Sequence, residues 1–120
     1  MLGFKLFGSG LSDLAVSAIG NDVNAAVSAA GTDQAGATEL TNCLNSVTTV
    51  AASSGVRLYA GSAGDWQLVY NAGANPLRVY PFTGAKVNQL AANSPHVLAI
   101  NTGCVYFTLS STQIVGVLSA

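Results

Sequence analysis

Residues 66–80 read WQLVYNAGANPLRVY, and this stretch decides the fold class. Trp66, Leu68 and Tyr70 alternate with Gln67, Val69 and Asn71, the period of two that a β-strand imposes because successive side chains point to opposite faces. Asn71, Gly73, Asn75 and Pro76 then interrupt the run with turn chemistry, and Leu77 and Val79 resume the alternation.

Outward from this stretch the same grammar repeats. Strands are expected over 47–51, 56–59, 66–70, 77–80, 97–100, 104–109 and 113–118, separated by Ser53 to Gly55, Gly61 to Gly64, Asn71 to Asn75, Gly84 and Asn101 to Gly103. The fold class that follows is all-β and mainly antiparallel, a compact sandwich or barrel. Trp66, Leu68 and Tyr70 are expected to face its core, as are Val105, Phe107 and Leu109. Around Leu40 to Thr49 the apolar spacing fits a helical face and a strand equally well. No internal repeat of solenoid length is visible.

The first third reads differently. Residues 1–30 form an extended N-terminal arm with a short helix, and residues 31–120 the β domain. Leu2, Phe4, Leu6 and Phe7, spaced by glycines, suit a segment that lies against a neighbour rather than in water. Ser12 can cap a helix carrying Leu11, Leu14, Ala15, Ala18 and Ile19, which Gly20 would end. Val23, Ala25 and Val27 alternate as in an edge strand or an extended connection. The opening residues imitate a secretory signal, but Gly8, Gly10 and Asp13 break its apolar stretch, so cytoplasmic synthesis is expected.

Composition narrows the function classes. Of 120 residues, 8% are charged and 50% are hydrophobic, against about 25% charged in ordinary soluble domains. A nearly neutral surface favours association, so much of it is expected to be covered by neighbours. Lys5, Arg57, Arg78 and Lys86 are scattered and provide no basic stripe, which argues against nucleic-acid binding. No run approaches the roughly 20 apolar residues of a membrane-spanning helix.

Reactive groups are few. His96 is the sole histidine, and a zinc site would have to join it to Cys43, Cys104 and a distant carboxylate, without finger or ribbon spacing. We therefore expect no metal and no cofactor. Two cysteines far apart do not make an oxidised framework; both are read as buried thiols, with a Cys43–Cys104 bridge as the alternative. A Cys, His and Asp constellation lacks any local motif, and no nucleophile elbow or phosphate loop is present, so the chain is not expected to be an enzyme. Arg78 and Tyr80, opposite Leu77 and Val79 on their strand, are candidate interface residues together with Leu2, Phe4, Leu6 and Phe7.

QAGATEL at 34–40, VTTVAASSGVRL at 47–58, GD at 64–65, NAGANPLRVYP at 71–81 and VNQLAAN at 87–93 together resemble small virion proteins of tailed bacteriophages, particularly head decoration or cement proteins. Tyr59 stands where such sequences often place Pro, and QIVGVLSA at the end departs from their aromatic close. The resemblance implies a structural protein on the phage head surface, made in the host cytoplasm. It implies binding to the assembled major capsid protein as a homo-oligomer, often a trimer over a local symmetry axis, to stabilise the shell against internal DNA pressure, with no catalysis. The same module resembles segments of fibres and other virion accessory proteins. The alternative is therefore a receptor- or glycan-binding module of a fibre or spike, using aromatics such as Trp66 and Tyr80.

Overall fold

The computed structural model describes residues 22–119. The expected helix capped by Ser12, and the arm residues Leu2, Phe4, Leu6 and Phe7, lie outside the described residues.

The chain forms β1 (Val23–Ser28), β2 (Thr38–Glu39), β3 (Leu44–Thr49), β4 (Gly55–Arg57), β5 (Trp66–Asn71), β6 (Leu77–Tyr80), β7 (Lys86–Val87), β8 (His96–Leu98), β9 (Gly103–Thr108) and β10 (Gln113–Leu118). No helix occurs among the described residues. The ambiguous segment around Leu44 is a strand, where Val47 and its β-branched neighbours Thr48 and Thr49 fit a pleated surface.

Up to β9 the strands alternate between two sheets. One sheet has six strands in the order β1-β3-β5-β9-β10-β7, the other four in the order β2-β4-β6-β8. Each step carries the chain across to the opposite sheet, so β1, β3 and β5 stack in parallel, as do β2, β4 and β6. Val23, Leu44 and Leu68 are thereby aligned in one sheet, and Thr38, Val56 and Val79 in the other. This is solenoid-like stacking closed by an antiparallel part: β9 runs against β5 and β10, and β8 against β6.

The expectation of a mainly antiparallel sandwich or barrel is thus corrected to mixed sheets. The reason lies in the turn after β5. Asn71 does not reverse the chain into a hairpin; its side-chain amide donates to the Asn75 carbonyl at 2.9 Å and the Leu98 carbonyl at 3.1 Å, while its oxygen accepts from Gly73 N–H at 3.0 Å. Asn75 donates to the Val50 carbonyl of the preceding coil at 2.8 Å. A Cβ on Gly73 would sit 2.5 Å from Val50 Cγ2, so only glycine lets the two arcs stack this closely. The turn residues bridge sheets rather than strands. The coils nevertheless leave no sequence repeat, because the pairing of β1 with β3 shifts register between Asn24 and Val27 and the connecting arcs differ in residue type and hydrogen bonding.

The core lies between the sheets. Val47, Val69, Cys104, Tyr106, Ile114 and Val87 enter it from the six-stranded sheet, and Val56, Leu77, Val79 and Leu98 from the four-stranded one. Each buried aliphatic side chain contributes about 1.5–3 kcal/mol relative to exposure. β1, whose Val27 is buried in this core, belongs to the same sheet as the rest.

The inward faces of β5 and β9 are opposite to those expected. Gln67, Val69 and Asn71 point inward on β5, and Cys104, Tyr106 and Thr108 on β9. Buried amides are tolerated because they are bonded: Gln67 Oε1 accepts from Tyr59 N–H at 3.0 Å and its amide donates to the Tyr59 carbonyl at 3.3 Å. Asn45 likewise donates to the Asn42 and Leu68 carbonyls at 2.9 and 3.2 Å. Side-chain amides supply the pairing that backbone groups in the arcs would otherwise lack.

Candidate functional site

With the amides turned inward, the apolar residues of β5 and β9 face out. Directly paired residues share a face. Register therefore places Val23, Leu44, Leu68, Val105 and Val117 in one row across five adjacent strands. A second row holds Trp66, Phe107 and Val115. On the other side of the aliphatic row lie Ser46, Tyr70 and Gly103.

The outer ends of the first row are open, Val23 at 49% exposure and Val117 at 55%, and Phe107 is 40% exposed. Leu44, Trp66, Leu68, Val105 and Val115 are half-buried. Beside Gly103, against which the Tyr70 ring lies, the face has an open depression of about 400 Å³. Its walls are almost wholly apolar, from Leu68, Tyr70, Val105, Val117 and Leu118. No charged side chain falls in the three rows. A contiguous apolar sheet face of this kind is rare on solitary soluble proteins.

The other sheet contrasts with it. Glu39, Arg57 and Tyr80 form a row across its outer face, and Arg57 pairs with Glu39 at 2.5 Å. The loop over 31–37 covers this row. Arg57 donates to the Gln34 carbonyl at 3.0 Å, the Gln34 amide donates to the Pro81 carbonyl at 2.8 Å, and the Tyr80 hydroxyl donates to the Thr32 carbonyl at 3.2 Å. Tyr80 is only 5% exposed, its ring lying against Gly55. The expectation of Tyr80 as an exposed aromatic is corrected: alternation put it on the outer face, and a loop distant in sequence buried it there. Arg78 is half-buried on the same sheet, across the molecule from the apolar face.

The reactive groups do not converge on either face. His96 Nδ1 lies 2.8 Å from the Tyr106 hydroxyl inside the fold. Burial lowers the imidazole pKa and pushes the Tyr106 phenol well above its ordinary range. Cys43 and Cys104 are both free thiols. Burial raises each of them, and the carboxylates of Asp22 and Asp65 raise Cys43 further, which disfavours the reactive thiolate. Cys43 donates to the Trp66 carbonyl at 3.3 Å. No group of three or more metal-ligating side chains occurs among the described residues.

Sequence reasoning missed the outward residues of the apolar face, Phe107 and Val117 above all. A signal was present: Asn71, two residues before Gly73, has the spacing of an Asx turn, which draws its side chain into the arc and fixes the face of the whole strand. Compared with known proteins, the chain matches no family model, no curated protein and no solved structure.

Proposed function

We propose that the protein is a structural virion component that binds the assembled major capsid protein and reinforces a phage head. The observation that carries this reading is the bare apolar outer face of the six-stranded sheet, set against a four-stranded sheet whose outer row is tied down by polar contacts. A surface of that kind works by burial against protein neighbours. The scarcity of charge, with only four cations in the chain, supports the same reading and leaves nucleic acid without an electrostatic footing.

Reinforcement follows from multivalency. Copies that each touch several capsid subunits hold those subunits together, because a second contact forms at high effective concentration once the first is made. Leu2, Phe4, Leu6 and Phe7 are assigned to such contacts. No catalytic step belongs to this role.

The test is uptake of the full-length protein by expanded capsids. Stoichiometric, saturable binding is expected, with weaker binding after deletion of residues 1–10. Protein that ignores expanded shells yet is retained by a cell-surface sugar overturns the reading in favour of a fibre or spike module. Half-exposed Trp66, Tyr70 and Phe107 give that second reading its footing, since aromatic faces stack on sugar rings. The depression beside them supplies few of the convergent polar groups that a sugar-binding pocket needs.

A further inference from the structure

We draw no further inference here: the strongest candidate, the apolar outer face of the six-stranded sheet with the depression between Leu68, Tyr70, Val105 and Val117, is the site already described, and nothing in the structure shows what covers it.

Discussion

Tyr106 on β9 and His96 on β8 meet across the core: the phenol oxygen lies 2.8 Å from Nδ1, and the rings stand edge to face with centroids 5.7 Å apart and planes at 82°. The contact joins the two sheets through side chains. Burial keeps the phenol protonated and disfavours the charged imidazole, so the contact is a hydrogen bond between two neutral groups.

That arrangement makes stability depend on pH. The folded-state pKa of His96 is lowered by burial, so in the window below about 6.5 the unfolded chain binds a proton that the folded chain resists. The stabilisation from neutral His96 is fully present above the unfolded value and is lost as pH falls through the folded one. The expected result is a thermal midpoint that declines between pH 7 and pH 5, with the decline reduced in His96→Gln. An unchanged slope in that variant would place the titration elsewhere.

Tyr106→Phe removes the hydroxyl while keeping the ring, which is fully buried. His96 Nδ1 then lacks this partner, and a loss of about 1–2 kcal/mol is expected in urea unfolding, read as a lower midpoint at constant slope.

Thr108 lies inside β9 at 1% exposure with its hydroxyl oxygen unpaired. Thr108→Val exchanges that hydroxyl for a methyl of nearly the same shape and retains β-branching, so stability is expected to hold or rise by about 1 kcal/mol. A loss of that size in the same unfolding experiment would mean the hydroxyl has a partner in solution.

Gly55 begins β4, and a Cβ there would lie 2.6 Å from the Arg78 carbonyl oxygen and 2.8 Å from the Tyr80 ring. Gly55→Ala must push β6 away or displace Tyr80 from beneath the 31–37 loop. We expect about 1–3 kcal/mol of destabilisation, with faster amide exchange in β4 and β6 than in β9.

Gln67→Leu probes the buried amides. The substitution leaves the Tyr59 N–H and carbonyl without the bonds Gln67 supplies, and about 1–3 kcal/mol of destabilisation is expected in spite of the more apolar side chain. A stabilised Gln67→Leu would show that water serves Tyr59 equally well.

Much of this protein could be read from its residues. Period-two alternation located β5, β6, β9 and β10 to within a residue, because that period is a local property of an extended backbone. Scarcity of charge is equally a property of the composition, legible without any tertiary structure. Alternation separates the two faces of a strand but does not say which is inside. Tertiary structure made that choice: Gln67 and Asn71 bond to arcs and strands distant in sequence, and the Asn45 amide nitrogen donates to the Asn42 and Leu68 carbonyls, which holds these side chains in the core and turns Leu68, Val105 and Phe107 outward. It also decided that the turn after β5 crosses between sheets, since the groups that hold Asn71 and Asn75 there, the Leu98 and Val50 carbonyls, come from other coils.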